Sequence, residues 1–518
     1  MAHDGDPRRA RLDALDAEAE QGGGAARVAK QHRDGKLTAR ERLALLLDPG
    51  SFQELDKFRT HHSTESGLAE HRLPGDGVVT GHGLVDGRPV FVFAQDFTVF
   101  GGSLSLAMAE KICKVLDRAV EAGYPVVGLY DSGGARVQEG VQALAGYGEI
   151  FRRSAQASGV VPQLSVILGP CAGGAAFSPA LGDVVVMVKG IASLFLAGTE
   201  AIRDGGGQPP PLEALGGALA HATRSGVAHL VHDTEAAALA QVRELLGYLP
   251  SSARSPAPVR PSGDDPERRE PALAAMVPQA SAAPYDAREV VRAVVDGARL
   301  LELAEEFAPN MVVGLARLDG HTVGVVANQP LVLGGAVDRK AAVKAARFVR
   351  CCDAFGVPVV TFVDVPGFVP GAEEEWGGLA LQGAKLVHAY ADATIPKLTV
   401  VTRKAYGGAY VVMASKHLGV DLNLAWPGAE IAVTNPEGAV GILFRKELSA
   451  AKDPVTERAR LAAEYRDRHA TPFEAASLGY VDEVIRPEDT RPRLIRALAL
   501  LRDKRVALPQ RKHDNLPL

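Results

Sequence analysis

Apolar residues along the chain follow two alternating patterns, short β-rich runs and longer stretches with helical spacing. The short runs, each ending near turn residues, are Pro125–Tyr130, Leu164–Leu168, Pro358–Val363 and Leu398–Thr402. Helical spacing marks Ala109–Ala122 and Ala341–Phe355. Continuous apolar strands separated by helices are typical of buried parallel sheets with right-handed crossovers. The pattern predicts an α/β fold.

The same signals occur twice along the chain. Asp86-Gly87 precedes an apolar strand and then Gly101-Gly102, and the same succession returns 233 residues later at Asp319-Gly320 and Gly334-Gly335. Further matched pairs are Lys111 and Lys344, Pro125 and Pro358, Asp131 and Asp364, and, offset by 234 residues, Pro162 and Pro396, and Gly173 and Gly407. A fixed offset over this many residues indicates an internal repeat. The sequence therefore predicts two copies of one fold.

A change in composition separates the two copies. Residues 250–284 are rich in Pro, Ser, Ala and charge and show no sustained periodicity, which indicates a linker or boundary loop. We expect an N-terminal domain over residues 1–260 and a C-terminal domain over residues 275–518. The amphipathic segment before residue 48 predicts an N-terminal helical arm.

Composition narrows the functional class. The 518 residues carry a net charge of −5, which favours neither nucleic acid nor an acidic membrane surface. No apolar run approaches the roughly 18 residues of a membrane span. The start of the chain lacks an apolar signal segment, and Asp4 and Asp6 argue against a transit peptide. The four cysteines form no C-x-x-C pair and predict neither a metal nor a redox motif; they are Cys113, Cys171, Cys351 and Cys352. We expect a reduced, cytoplasmic protein.

Candidate chemistry centres on two glycine pairs, each placed after a strand and before a helix. They are Gly173-Gly174 in Gly169-Pro-Cys-Ala-Gly-Gly-Ala and Gly407-Gly408 in Lys404-Ala-Tyr-Gly-Gly-Ala-Tyr. Without Cβ atoms the backbone lets a ligand approach, and the following helix offers unpaired N–H groups that suit an oxyanion such as a thioester enolate. A single Gly-Gly more often marks a turn or close packing. The recurrence at matching places in both copies favours a site.

Other residues near these turns allow two interpretations. Asp131 and Asp364 sit at corresponding strand ends, where a helix-capping role is the preferred interpretation. Arg136 is a candidate for a CoA phosphate or for a structural ion pair. His221 and His229 lack suitably spaced partners and are expected to be ordinary histidines.

Long stretches of this sequence resemble the β subunit of propionyl-CoA carboxylase and related acyl-CoA carboxylases. The resemblance covers nearly the whole chain and rests on specific strings. These begin at Gly75 (GDGVVTG), Phe91 (FVFAQDFTVFGGS), Asp131 (DSGGARVQEG), Gly169 (GPCAGGA), Phe362 (FVDVPGF), Arg403 (RKAYGGAY) and Arg511 (RKHDNLPL).

The resemblance implies two tandem crotonase-like domains, a ring-shaped hexamer, and transfer of CO2 from carboxybiotin to the α-carbon of an acyl-CoA. Carried onto this sequence, Gly173 and Gly174 would hold the acyl-CoA enolate oxygen, and Gly407 and Gly408 the biotin ureido oxygen. The segment of Ala135 and Arg136 would bind the CoA ester. Biotin itself would take the α-proton, which agrees with the absence of a general-base motif. Since the chain has neither a Met-Lys-Met motif nor an ATP phosphate loop, biotin carboxylase and biotin carrier are expected on a partner.

Four places depart from the family pattern. Val411 stands where many propionyl-type relatives have an aspartate that bears on acyl choice. A basic residue before Gly-Ala-Lys is absent from the segment that begins at Leu379, and the segments 204–211 and 434–437 are rewritten. The valine predicts acceptance of acyl chains longer than propionyl, giving alkylmalonyl-CoA as a polyketide extender unit.

Three rival functions remain open. A decarboxylase or transcarboxylase subunit would run the same half-reaction with other partners. A biotin-independent crotonase-fold hydrolase or isomerase would need an acidic or histidine base opposite the glycines. A catalytically silent assembly subunit would fit the rewritten segments.

Overall fold

The chain forms two units, Met1–Pro256 and Ala257–Leu518, in a computed structural model that describes residues 6–64, 67–513 and 515. Asp4 lies outside the described residues, and so do residues 514 and 516–518 of the motif that starts at Arg511. The strands of the first unit are β1 (Gln53–Leu55), β2 (Val78–Val85), β3 (Arg88–Gln95), β4 (Val126–Ser132), β5 (Gln163–Ala172), β6 (Val184–Val188), β7 (Ser193–Phe195) and β8 (Leu230–His232). Those of the second unit are β9 (Leu301–Leu303), β10 (Met311–Leu318), β11 (His321–Asn328), β12 (Val359–Val365), β13 (Lys397–Tyr406), β14 (Leu422–Ala425), β15 (Glu430–Ala432) and β16 (Glu483–Val484).

Each unit builds one sheet of its own, and the strand order is the same in both sheets. The first sheet runs β1-β2-β3-β4-β5-β6-β8 with β7 beside β5, and the second runs β9-β10-β11-β12-β13-β14-β16 with β15 beside β13. Register repeats as well, because Phe91 pairs with Val126 and Gly324 pairs with Val359. The internal duplication predicted from the sequence is confirmed.

The Asp-Gly dipeptides make the first hairpin of each sheet. Asp86 and Gly87 have φ of +49° and +75°, and Asp319 and Gly320 have +51° and +75°. Two consecutive positive φ values are what a tight two-residue hairpin turn requires. The strands on either side are antiparallel, and pairing is parallel from β3 and β11 onward. Each sheet is therefore mixed, whereas the apolar runs alone predicted parallel pairing throughout.

Helices surround both sheets. In the first unit they are α1 (Pro7–Glu20), α2 (Ala25–Arg33), α3 (Ala39–Leu46), α4 (Leu106–Ala122), α5 (Val141–Ala157), α6 (Phe177–Leu181), α7 (Thr199–Asp204), α8 (Leu212–Gly216), α9 (Ala218–Ala220) and α10 (Glu235–Leu246). In the second unit they are α11 (Leu273–Met276), α12 (Ala287–Val294), α13 (Arg339–Ala354), α14 (Ala372–Trp376), α15 (Leu379–Asp392), α16 (Gly407–Val412), α17 (Pro436–Leu443), α18 (Arg445–Ala450), α19 (Pro454–His469), α20 (Pro472–Ser477) and α21 (Thr490–Leu501).

The two long crossover helices, α4 and α13, correspond in detail. The Ser105 side chain caps α4 and the Asp338 side chain caps α13, each accepting a backbone N–H three residues on. The buried ammonium of Lys111 donates to the carbonyls of Gly75 and Val78, and that of Lys344 donates to the carbonyl of Phe307. Burial lowers the pKa of both lysines to about 8. The two lysines thus tie each crossover helix to the loop that enters its sheet.

The segment between the two copies is mostly part of the second unit. Leu273 is fully buried in its core, and Arg403 donates to the carbonyls of Ala280 and Ala283. The interval 250–284 is therefore anchored to the second unit near its C-terminal end, while most of its other residues are exposed or half-buried. Leu273 and Val277 attach it to the apolar core, and the carbonyls of Ala280 and Ala283 attach it to Arg403.

Candidate active site

The first glycine pair forms a sharp turn at the end of β5. Gly173 has φ +61°, a conformation that costs an L-residue about 1–2 kcal/mol, and it opens a short 3-10 helix, Gly173–Ala176, that leads into α6. The first N–H groups of a helix have no acceptor within it. Among the hydrogen bonds of the described residues, none uses the N–H of Gly173 or Gly174 as donor. The turn thus offers backbone donors to a ligand.

Two neighbours define this turn. The ring of Tyr147 lies beneath Gly174, where a Cβ atom would come within 2.9 Å of it. The loop at Gly134, with φ +104°, approaches Ala172 so closely that a Cβ would lie 3.0 Å from the Ala172 carbonyl oxygen. Ala135, half-buried, follows in this loop and bridges to Leu104. The predicted glycines and Ala135 are therefore neighbours at one end of the sheet.

The Arg136 side chain is buried and ion-paired within its own unit. Its side chain is 1% exposed, and Nη1 lies 2.7 Å from an Asp76 carboxylate oxygen and 3.4 Å from one of Glu139. The guanidinium also covers the Phe100 ring at 4.7 Å. The structure thus gives this guanidinium ion-pair partners within its own unit, the second of the two roles considered for it.

The second glycine pair repeats this geometry at the end of β13. Gly407 has φ +62°, and a Cβ at this position would lie 3.3 Å from the Val433 carbonyl oxygen. Gly408 is exposed, and a Cβ there would meet nothing closer than the Phe368 ring at 3.8 Å. Among the described residues, no hydrogen bond uses the N–H of Gly407 or Gly408 as donor. Folding alone does not require glycine at 408, and the open space above it can take a ligand.

Side chains around the second turn are largely apolar. Val411 lies half-buried in α16, three residues after Gly408. Leu381 in α15 is 50% exposed and Val433 is 85% exposed. The rewritten segment at 434–437 starts α17, since the Asn435 side chain accepts the N–H of Gly438. Near the turn itself lie the Val433 carbonyl and the Phe368 ring.

One polar chain beside this turn was missed by sequence reasoning. The Tyr406 hydroxyl donates to Glu430, whose other oxygen accepts from Arg466 at 3.1 Å. Burial, and the carboxylate to which it donates, raise the pKa of Tyr406. The residue directly before Gly407 is thereby fixed to α19. Tyr406 and Glu430 are 24 residues apart in sequence, and Glu430 and Arg466 are 36 apart, so no local pattern predicts these contacts.

Asp131 and Asp364 are buried ion-pair partners, not helix caps. Asp131 accepts from Lys36 at 2.9 Å, from Arg42 at 2.9 Å and from Gln31 at 3.0 Å. Asp364 accepts from Arg403 at 2.9 Å. The capping interpretation was wrong because both carboxylates are fully enclosed, at 0% and 1% exposure, and point to cations instead of a helix N-terminus.

The histidines have structural partners, as expected. His221 contacts the Leu194 carbonyl at 2.7 Å and the Ser225 hydroxyl at 2.7 Å, and His229 accepts the N–H of Val185. Within the part of the chain that the structure describes, no group of three or more His, Cys, Asp or Glu could hold a metal ion. In the same residues no helix is long and apolar enough to cross a membrane.

Comparison with known proteins gives a family for this architecture. The profile of the carboxyl transferase domain matches residues 30–516. The chain is 56% identical over 502 residues to the propionyl-CoA carboxylase carboxyltransferase subunit of Haloferax mediterranei, covering 97% of both chains. It is 51% identical to the mitochondrial propionyl-CoA carboxylase β chain of Homo sapiens, covering 96% of this chain and 91% of that one.

Solved structures show the same similarity. Transcarboxylase 12S, described as a hexamer with methylmalonyl-coenzyme A and methylmalonic acid bound, superposes with a TM-score of 0.97 at 45% identity over 100% of this chain and 99% of that one. A single-chain, multi-domain long-chain acyl-CoA carboxylase superposes with a TM-score of 0.82 at 29% identity, covering 95% of this chain and 50% of that one.

The fold and the family now agree. The two tandem crotonase-like domains expected from the sequence are confirmed by these structural neighbours and by the repeated sheets. The end-to-end sequence matches extend over both glycine turns. The chain therefore belongs to the carboxyl transferase family, as an acyl-CoA carboxylase carboxyltransferase subunit of the propionyl-CoA carboxylase β-chain type.

Proposed function

We propose that this subunit transfers a carboxyl group from biotin to the α-carbon of an acyl-CoA, and that its two glycine turns divide the work. The observation that carries the proposal is the repetition of one donor geometry, with φ +61° at Gly173 and +62° at Gly407, at equivalent strand ends. Two oxyanions need stabilisation in such a transfer, and the chain has two matching turns. In this assignment the first turn serves the acyl-CoA and the second serves biotin.

On the acyl side, the N–H groups of Gly173 and Gly174 would bind the thioester oxygen as it becomes an enolate. The Tyr147 ring beneath Gly174 holds the turn from below, so the donors need no rearrangement during the reaction. A preorganised donor of this kind contributes about 2.7–4 kcal/mol to the transition state. Ala135 lies beside this turn and would contact the CoA ester.

On the other side, Gly407 and Gly408 would bind the ureido oxygen of biotin. The site fits such a group because Gly408 is exposed and the space of a Cβ is free to 3.8 Å. When bound, biotin supplies the carboxyl group and a ureido nitrogen that takes the α-proton. The chain's own contribution is to orient the ring through backbone donors, while the Phe368 ring offers apolar surface beside it.

The assembly follows from the same assignment. We propose that a biotin carboxylase and biotin carrier partner delivers biotin, because the sequence has no attachment motif. A homohexamer in the cytoplasm, without metal, membrane or nucleic acid, is the proposed setting. The hexamer of the related transcarboxylase 12S supports the first of these features.

Val411 is proposed to set the acyl chain length. A valine presents hydrocarbon to the substrate, and each further buried CH2 gains about 0.8 kcal/mol. An aspartate at this place would lose free energy against methylenes. Acyl-CoAs longer than propionyl would then be used, giving alkylmalonyl-CoA of the kind that polyketide assembly consumes.

The test is kcat/KM for acetyl- to octanoyl-CoA, measured with the biotinylated partner. Val411→Asp should shift the preference toward propionyl-CoA, and Val411→Thr, which keeps the shape and adds a hydroxyl, should fall between. A profile that peaks at propionyl-CoA in all three proteins would refute Val411 as the selector.

Transcarboxylation is a second candidate, favoured by the TM-score of 0.97 to transcarboxylase 12S. Carboxylation requires ATP and bicarbonate, whereas transcarboxylation requires a carboxylated CoA ester and a keto acid. Measuring both reactions with the same biotinylated carrier separates the two functions.

A further inference from the structure

A buried carboxylate stands at the same place in both halves of the chain. Asp131 lies near the end of β4, beside β5 and its glycine turn, and Asp364 lies near the end of β12, beside β13. Both are enclosed, at 0% and 1% exposure. A buried charge needs a partner, so each carboxylate must be paired within its own unit.

Both carboxylates lie at a bulge. In the first sheet the pairing jumps from Tyr130 opposite Ile167 to Ser132 opposite Cys171. In the second it jumps from Val363 opposite Val401 to Val365 opposite Ala405. In β5 and β13, three residues (168–170 and 402–404) thus lie opposite a single residue of the neighbouring strand, just before the glycine turn. A bulge bends its strand and re-aims the residues beyond it, so each bulge sets the direction of its turn.

The cations that satisfy these carboxylates come from different parts of the chain. In the second unit they lie in the bulge itself, where Arg403 Nε is 2.9 Å and Lys404 Nζ 3.5 Å from Asp364. In the first unit the equivalent bulge positions are Gly169 and Pro170. A Cβ at Gly169 would lie 1.9 Å from an Asp131 oxygen, so no side chain fits there.

The N-terminal arm fills this role in the first unit. Lys36, between α2 and α3, and Arg42, in α3, both reach Asp131 at 2.9 Å. Arg42 also donates to the Leu168 carbonyl at 2.8 Å, which lies in the bulge, and to Glu235 at 2.6 Å. One fully buried guanidinium therefore joins the carboxylate, the bulged strand and α10.

We propose that Arg42, assisted by Lys36, is a positioning residue for the acyl-side glycine turn: it fixes the β5 bulge that aims Gly173 and Gly174. The N-terminal arm is then a working part of the site, and it supplies from outside the cation that the biotin-side strand supplies from within. The proposal rests on the proposed function in assigning the first turn to the acyl-CoA.

The experiment compares Arg42→Lys and Arg42→Met with Arg40→Met in the full-length chain. Arg40 is a matched control because it lies in the same helix and pairs with Glu54 at 2.8 Å, away from the bulge. Hydrogen exchange is followed in peptides over residues 164–181 and 397–412. With the biotinylated partner, kcat and KM are measured separately for acyl-CoA and for the carrier.

We expect Arg42→Met to accelerate exchange over residues 164–181 but not over 397–412, and to lower kcat about 100-fold, the loss typical of a displacement of about 1 Å. KM for the carrier should stay unchanged. Arg42→Lys keeps the positive charge but loses the several N–H donors of the guanidinium, so it should recover part of kcat. If Arg42→Met does not fold, the Arg42→Lys variant tests the proposal. Arg40→Met should behave as the wild type in both readouts.

Equal exchange and equal kcat in the Arg42 and Arg40 variants would overturn the proposal, as would faster exchange without a loss of kcat. A wild-type complex that carboxylates no acyl-CoA would instead defeat the proposed function. The exchange comparison would then still decide whether Arg42 fixes the bulge.

Discussion

Gly408→Ala separates the needs of folding from those of catalysis. The added methyl group meets only the Phe368 ring, at 3.8 Å, which is an ordinary van der Waals contact. Gly408 lies in α16, and its φ is outside the left-handed region. The folded chain should therefore accept alanine at this position without rearrangement.

Both magnitudes can be worked from the structure. Replacing glycine by alanine where the backbone permits it stabilises a protein by about 0.4–1 kcal/mol. At roughly 2–4 °C per kcal/mol for a unit of this size, Tm should rise by about 1–4 °C. The methyl group occupies the space proposed for biotin and displaces it from the donors. Loss of one such donor costs about 10²–10³ in kcat.

The assay pairs thermal unfolding with carboxylation of propionyl-CoA by the complex with its biotinylated partner. Gly148→Ala is the matched control, because it also adds a methyl group in a helix and meets no atom within 4 Å. We expect Gly408→Ala to combine a raised Tm with at least about a 100-fold loss of kcat, and Gly148→Ala to raise Tm similarly while keeping the wild-type kcat. A Gly408→Ala enzyme with wild-type kcat would refute the role of this turn.

Two further predictions concern folding and pH. Gly174→Ala should destabilise the chain and reduce acyl-CoA turnover together, because its Cβ would lie 2.9 Å from the Tyr147 ring, and a variant as stable as wild type would contradict the clash. Burial, and then the charge of Glu305, raise the pKa of Glu302 to about 7, above its ordinary 4.5. The stability that protonated Glu302 contributes is therefore complete below about pH 4.5 and lost as pH rises through about 7. The Tm advantage of Glu302→Gln over wild type should accordingly grow from about pH 5 to about pH 8, and a constant difference would refute the shift.

The duplicated architecture was open to prediction because hydrophobic periodicity and turn chemistry are local. The Asp-Gly dipeptides, the crossover helices and the two glycine turns could all be located from the order of residues. Observed bounds differ by a few residues, as for α4, which begins at Leu106 and not at Ala109. Strand direction was partly missed, because an apolar run does not distinguish a hairpin partner from a parallel neighbour.

The partners of the buried carboxylates could not be predicted from local sequence patterns. Arg42 and Asp131 are 89 positions apart, and Lys36 and Asp131 are 95 apart, so no spacing rule connects them. Asp131 after a strand consequently indicated a helix cap. One signal was present: the repeat aligns Gly169 with Arg403, and a cation in one copy that is missing in the other indicates a replacement from elsewhere in the chain.

The most direct test of the central claim is ATP-dependent carboxylation of propionyl-CoA by the purified chain with and without a biotinylated carboxylase partner. We expect labelled bicarbonate to enter methylmalonyl-CoA only when chain, partner and ATP are all present. No incorporation with the partner, or turnover of the CoA ester by the chain alone without biotin, would contradict carboxyl transfer from biotin to the CoA ester.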